Sequence, residues 1–215
     1  AMAASVLLLI AGAQWLAGIA ASSEAPTARV VNLSGAQWVS GAKEYGQWST
    51  IVSGDVLELR EGMVNVFISS GVDMLIEGPA EVRFDSLDRV VVSEGQLAAR
   101  VGPDAIGFSI ETTHANVIDR GTSFGISVNR SEQTDVVVYD GIVDLDVVGH
   151  GQKPRRRLAA GEALRVDNRG DLSRINSIRA DEFLPPPPAH ISPNRRDAVI
   201  ESVSDNIRLL DTAKY

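Results

Sequence analysis

The chain contains no cysteine among its 215 residues. This absence excludes disulfide bonds, thiolate metal ligands and cysteine nucleophiles. Aromatic residues are also scarce, at 5% of the chain, although hydrophobic residues make up 44%. A core of ordinary size must therefore be built mainly from valine, isoleucine and leucine, and the β-branched members of that set favour strands.

Basic residues are also fewer than acidic residues. The chain carries 20 lysines and arginines against 28 aspartates and glutamates, for a net charge of −8. A nucleic-acid-binding surface needs basic side chains that displace counterions from phosphates. The short basic run of Lys153, Arg155, Arg156 and Arg157 is typical of a solvated turn. We therefore predict no nucleic-acid partner.

Catalytic and metal-binding patterns are weak. His114, Asp119 and Ser123 lie within ten residues of one another, but a working triad needs mutual hydrogen-bond geometry and an oxyanion hole. The aspartates between residues 140 and 146 lack a calcium-loop pattern and are expected on solvated strand faces. No glycine-rich phosphate loop with its lysine is present. The sequence predicts no enzymatic activity, no metal site and no cofactor.

Residues 1–21 carry no charged side chain. A helix of about 20 residues spans the hydrocarbon core of a bilayer, so a transmembrane anchor is the favoured interpretation. A cleaved signal peptide is an alternative, because small residues stand near the end of the stretch, although a basic start is missing. A buried helix of a soluble domain is the third possibility. Residues 22–28 form a polar linker after this segment.

Residues 29–168 combine short β-rich runs with glycine-centred turns. One unit recurs: a strand, an acidic or small residue followed by glycine, and another strand. Its glycines are Gly62, Gly95, Gly141 and Gly161. Glycine adopts positive φ at little cost, so each unit predicts a hairpin with a glycine turn.

Strict alternation marks one of these strands. Val143, Leu145 and Val147 fall on one face, and Asp144 and Asp146 fall on the other. This pattern indicates a strand with one buried face. The spacing of the units is irregular, which disfavours a solenoid of one repeat length. We predict a single all-β domain over residues 29–168, and a β-roll, a sandwich and a short β-helix all remain open.

Order is expected to decline after residue 168. Residues 169–193 form a proline-rich linker, because the four consecutive prolines of Pro185–Pro188 favour an extended polyproline spacer. Residues 194–215 space their apolar side chains like an amphipathic helix and are interpreted as the possible start of a further domain.

Two segments carry a family resemblance. They are GVDMLIEGPAEVRF, from Gly71 to Phe84, and FSIETTHANVIDRGTSFGISV, from Phe108 to Val128. Together with the VVVYDG run that follows, they resemble the FecR domain, named for ferric-citrate transport regulators. The positions that match the motif are Gly78, Pro79, Thr112, Ala115, Gly121, Thr122, Phe124, Val136, Val138, Gly141 and Val143. The resemblance implies a structural signature, in which these side chains shape turns and core.

The resemblance also implies a place in the cell. FecR-type proteins have one membrane helix and hold this domain in the periplasm, where classical members contact an outer-membrane transporter and control a sigma factor. We therefore expect a domain anchored in the inner membrane, facing the periplasm or the cell exterior, with an envelope protein as partner. The alternative is a tethered scaffold, since the proline-rich stretch resembles family members in which a laminin-G or concanavalin-like module follows and could bind carbohydrate.

Overall fold

The computed structural model describes residues 27–149, 155–177 and 183–188. This part of the chain is all-β, as predicted, with one short 3₁₀ turn at Pro103–Ala105. The strands are β1 (Ala28–Trp38), β2 (Thr50–Ile51), β3 (Val56–Ile68), β4 (Val72–Phe84), β5 (Arg89–Val101), β6 (Ser109–Glu111), β7 (Ala115–Asp119), β8 (Ser123–Val128), β9 (Thr134–Asp140), β10 (Ile142–Val147), β11 (Arg156–Ala159), β12 (Ala163–Val166) and β13 (Leu172–Arg174).

All thirteen strands belong to one branched sheet. Strands β1, β3, β4 and β5 are long, pair antiparallel and run through both halves of the sheet. Beyond β5 the sheet divides, because the first part of β5 pairs with β6 and its second part pairs with β8. Half A thus runs β1–β3–β4–β5–β6–β7–β10–β11, and half B runs β2–β1–β3–β4–β5–β8–β9–β12–β13.

Glycines mark the bends between the two halves. Gly62 and Gly95 lie inside β3 and β5, Gly141 joins β9 to β10, and Gly161 joins β11 to β12. Their φ angles are positive, at 90°, 127°, 83° and 82°. The predicted hairpins at these four positions are nevertheless wrong. The segments on either side of each glycine do not pair with each other, so each glycine is a bend at which the chain passes from one half to the other.

Neighbouring strands approach closely at these bends. A Cβ atom on Gly62 would lie 2.3 Å from the carbonyl oxygen of Gly35, and one on Gly78 would lie 2.8 Å from the backbone nitrogen of Glu61. The Gly78–Pro79 peptide is cis and sits within β4, which continues through it rather than ending there. Gly78 and Pro79 of the motif therefore lie at a bend inside a continuous strand.

The two halves enclose a single core. Val92, Val117 and Val143 of half A and Val66 and Ile126 of half B belong to one cluster of buried side chains. The outer ends of the halves also meet: the Ser70 hydroxyl, in the β3–β4 turn, donates a hydrogen bond of 2.6 Å to the carbonyl oxygen of Leu87, in the β4–β5 turn. The sheet therefore curls around its core, and each long strand contributes to both sides.

Part of the predicted proline-rich linker packs on the domain. Strand β13 pairs with β12, and Phe183 and Leu184 are only 8% and 7% exposed. The predicted anchor at residues 1–21, most of the predicted linker at residues 22–28 and the predicted further domain at residues 194–215 lie outside the described residues. Within the described ranges, no helix has the length and apolar character needed to cross a membrane.

Candidate functional site

The Thr112–Ala115 part of the motif closes the turn between β6 and β7. The Ala115 N–H donates to the Thr112 hydroxyl at 3.1 Å. That hydroxyl also lies 2.9 Å from the hydroxyl of Thr134, and both threonines are buried. The motif threonine therefore ties this turn to the start of β9.

Asp119 organises the Gly121–Thr122 bend. Its carboxylate accepts hydrogen bonds from the Gly121 N–H, at 2.8 Å, and from the Thr122 hydroxyl. Burial raises the pKa of this carboxyl group above its usual value. His114, which sequence spacing placed near it, has its Nε2 atom 3.2 Å from a carboxylate oxygen of Glu132. Asp119 thus stabilises the bend, and its position two residues before Gly121 could have indicated this role.

The remaining motif residues lie either in the core or at a bend of the chain. Phe124, Val136, Val138 and Val143 are each at most 1% exposed and belong to the core cluster. At Gly141, a Cβ atom would lie 2.4 Å from the carbonyl oxygen of Gly121, so the two motif glycines mark adjacent bends. The family motif therefore describes how the chain passes between the two halves of the sheet.

Arginines from two segments converge on one carboxylate of half A. The Asp144 side chain is 1% exposed, and it accepts hydrogen bonds of 2.9 Å from the Nε atoms of Arg120 and Arg157. The expectation that Asp144 lies on a solvated strand face is therefore wrong. The Arg157 hydrogen bond is the largest cause that holds the pKa of Asp144 below its usual value. Arg155 binds Asp146 at 2.7 Å, so the basic run partly packs on the sheet.

An open groove lies between the last strands of the two halves. Strand β11 ends half A and β13 ends half B in the described part of the chain. The groove between them has a volume of about 310 Å³. It combines arginine side chains with one glutamate and an apolar floor, and its lining residues are Arg156, Arg157, Leu158, Glu162, Ala163, Leu164, Leu172 and Arg174.

Among the described strands, β11 pairs only with β10, so its other edge faces this groove. The Ala159 N–H donates to the Glu162 carboxylate at 2.9 Å rather than to β10. Hydrogen-bonded and non-hydrogen-bonded pairs alternate along an antiparallel ladder. Because Ala159 pairs with Ile142 and Arg157 pairs with Asp144, the N–H and C=O of Arg157 point away from β10. The Ala159 carbonyl accepts from the Glu162 N–H, so the backbone groups of Arg157 are the ones on this edge that no described strand pairs.

Comparison with known proteins identifies the family. Residues 60–144 match the family model described as "FecR protein". A crystal structure of a "putative anti-sigma factor" from Parabacteroides distasonis ATCC 8503 aligns at 22% identity and a TM-score of 0.47, over 56% of this chain and 59% of that one. A second structure with the same description aligns at 23% identity and a TM-score of 0.37, over 70% of this chain and 59% of that one.

The chain thus spans about 59% of the length of each of these structures. No curated protein matches it significantly. The family match includes the bends at Gly62, Gly78, Gly95 and Gly141 and most of the strands that surround the core. On this match, the chain contains a FecR domain that includes residues 60–144.

Proposed function

We propose that this FecR domain is a protein-interaction module of transmembrane signalling that acts outside the cytoplasm. In this proposal a partner protein adds an extended segment to strand β11. The observation that carries the proposal is the open edge of β11 beside the groove that reaches β13. Strand addition gives affinity through backbone hydrogen bonds and specificity through pockets for alternate side chains.

The charges of the groove select the partner. Arg156, Arg157 and Arg174 line it, and Glu162 is its single acidic side chain. Glu162 binds Arg174 at 2.6 Å and Arg157 binds Asp144 at 2.9 Å, which leaves the charge of Arg156 without an ion pair in the described part of the chain. The partner segment is therefore acidic, with an apolar side chain for the floor at Leu164 and Leu172. Edge arginines also oppose pairing between two copies of the domain, because like charges would face each other.

The family and the first residues of the chain support the cellular setting. The uncharged residues 1–21 suit a membrane anchor, and the resemblance to FecR-type regulators supports a position outside the inner membrane. An envelope protein is then the partner, and a sigma-factor pathway is the output. A passive spacer would have no use for an open, charged edge.

Site-specific crosslinking in cells tests the partner. A photoreactive residue at position 156 of the full-length protein should crosslink to one envelope protein, through an acidic extended segment identified by mass spectrometry. Position 130 serves as the control, because Arg130 is exposed and binds Glu94, away from the groove. Equal crosslinking from both positions, or none from position 156, would refute strand addition at β11.

Charge reversal tests the signalling role. Arg156→Glu should abolish the crosslink from a photoreactive residue at position 159 and change the transcript profile of the cell. Arg130→Glu makes the same charge change elsewhere and should do neither. If Arg156→Glu removes the partner but leaves transcription unchanged, the domain binds its partner without signalling, and the signalling part of the proposal is wrong.

A further inference from the structure

A proline-rich segment lies on the outer face of half B, opposite the core. This segment, Phe183–Pro188, is called the proline strap here. Phe183 packs in a small cluster with Val137 of β9 and Ala163 of β12. Leu184 is 7% exposed, so the strap shields apolar surface outside the main core.

Two side chains of the sheet bind the backbone of the strap. The Tyr139 hydroxyl donates to the carbonyl oxygen of Leu184 at 2.5 Å, and the Arg100 Nε donates to the carbonyl oxygen of Pro187 at 2.8 Å. Both acceptors are main-chain carbonyls, three residues apart. The sheet therefore recognises a backbone conformation as well as apolar side chains.

The four consecutive prolines of the strap favour a polyproline II helix. Proline fixes φ near −65°, and a residue that precedes proline is restricted to extended conformations. A polyproline II helix has three residues per turn and rises about 9 Å per turn, so the carbonyls of Leu184 and Pro187 point to the same side. Its carbonyls have no internal hydrogen bonds and are free to accept bonds from outside.

The two donors come from strands that are not neighbours. Arg100 lies on β5 and Tyr139 lies on β9, and β8 separates these strands. Neighbouring strands are about 4.8 Å apart, so the backbones of the two donor residues are about 9–10 Å apart across the sheet. The strap is therefore held at two points by side chains from two separate strands of half B.

Small residues form the floor under the strap. Ala98, Gly125, Val137 and Ala163 are direct cross-strand partners on β5, β8, β9 and β12. All four are buried. A Cβ atom on Gly125 would lie 2.7 Å from the Tyr139 hydroxyl oxygen. Glycine at this position therefore leaves room for Tyr139 to lean over β8.

We propose that this outer face of half B is a polyproline-binding site. It takes a segment in which an aromatic residue and leucine precede consecutive prolines, and the protein's own strap occupies it. Tyr139 and Arg100 hold the ligand by its carbonyls, and Val137 and Ala163 accept the aromatic side chain. The site lies on the outer face of the sheet and shares Ala163 with the lining of the groove between β11 and β13.

A peptide added in trans tests the site. In the vacated chain, the full-length protein carries three substitutions that should remove the strap from the outer face without shortening the protein: Phe183→Ser, Leu184→Ser and Pro187→Ser. The probe is the capped peptide Phe-Leu-Pro-Pro-Pro-Pro, and binding is followed by NMR shifts of the Ala98 and Ala163 methyl groups. The vacated chain should bind the peptide at least tenfold more tightly than the wild type, because the tethered strap competes in the latter.

Matched substitutions separate recognition from nonspecific packing. Adding Tyr139→Phe to the vacated chain should weaken binding several-fold, whereas Tyr45→Phe should not, because the Tyr45 hydroxyl bonds to Val56 in a different part of the fold. A peptide with alanines in place of the prolines should not bind. The proposal is overturned if a folded vacated chain does not bind, or if the alanine peptide binds equally well.

A second measurement decides the matter if the vacated chain does not fold. In the otherwise native protein, Arg100→Gln combined with Tyr139→Phe should release the strap. The contact between the Phe183 ring and the Ala163 methyl group, seen as a nuclear Overhauser effect, should then be lost. Persistence of that contact at full intensity would show that apolar packing alone holds the segment.

Discussion

At the scale of residues, glycine sets the positions where strands bend. Gly141 and Gly161 have nearly the same φ, at 83° and 82°. They differ in space, because a Cβ atom on Gly141 would lie 2.4 Å from the Gly121 carbonyl oxygen, whereas one on Gly161 would meet nothing within 4 Å. A comparison of substitutions at the two glycines therefore separates the free-energy cost of the backbone conformation from the free-energy cost of steric overlap.

Alanine substitution at both positions tests this distinction. Gly161→Ala should lower the free energy of unfolding by about 1–2 kcal/mol, the cost of a left-handed conformation for a residue with a side chain. Gly141→Ala should lose a further 1–3 kcal/mol or so, because the strands must move apart. Urea unfolding measures both values. Equal losses would show that the close approach of the strands is unimportant.

At the scale of elements, the buried Asp144 ties strands together. Asp144 of β10 binds Arg120, which follows β7, and Arg157 of β11. It therefore joins three consecutive segments of half A. The alternation of apolar and acidic residues predicted the buried valine and leucine face of β10. The arginines that bind Asp144 lie 24 and 13 residues away in the sequence, so the alternation within β10 does not indicate them.

The lowered pKa of Asp144 predicts a loss of stability in acid. A carboxyl group with a lower pKa in the folded state stabilises the fold above its unfolded pKa of about 3.9. This contribution disappears as the pH falls through the folded value. Asp144→Asn should therefore lower the free energy of unfolding at pH 7, and its difference from wild type should shrink below about pH 4.

The exposed Asp104 supplies the control for this measurement. Asp104→Asn should leave the free energy of unfolding close to that of the wild type at every pH. Urea unfolding from pH 7 to pH 2.5 makes the comparison. A difference between Asp144→Asn and wild type that stayed constant over this range would contradict the assigned ion pairs.

At the scale of the whole molecule, the two halves of the sheet share one core. The long strands β3, β4 and β5 cross the bends, and their buried side chains belong to a single cluster. Neither half could open without exposing the apolar side chains of the other. We therefore expect one cooperative unfolding transition.

Hydrogen exchange tests this cooperativity. The amides of Val117 and Leu145 in half A and of Ile126 and Val138 in half B should exchange through the same global opening, with equal free energies. Their dependence on urea should also be the same, because each opening exposes the whole core. A lower opening free energy for one entire half would show that the halves are separate folding units.

The sequence by itself determined the class of the fold and much of its identity. The lack of cysteine and the scarcity of aromatic residues indicated a core of valine, isoleucine and leucine in strands. Alternation placed Val143 and Leu145 on a buried face, and the motif around Gly121 indicated the FecR family. These signals are local, since side-chain direction follows from the strand repeat of two.

Only the tertiary structure decided which strands pair. A glycine with positive φ is compatible with a hairpin turn and with a bend, and the choice at Gly62, Gly95, Gly141 and Gly161 depends on distant strands. Burial of Asp144 and docking of Phe183–Pro188 likewise depend on residues brought together by folding. Pairing and packing are long-range contacts, so no local pattern in the chain specifies them on its own.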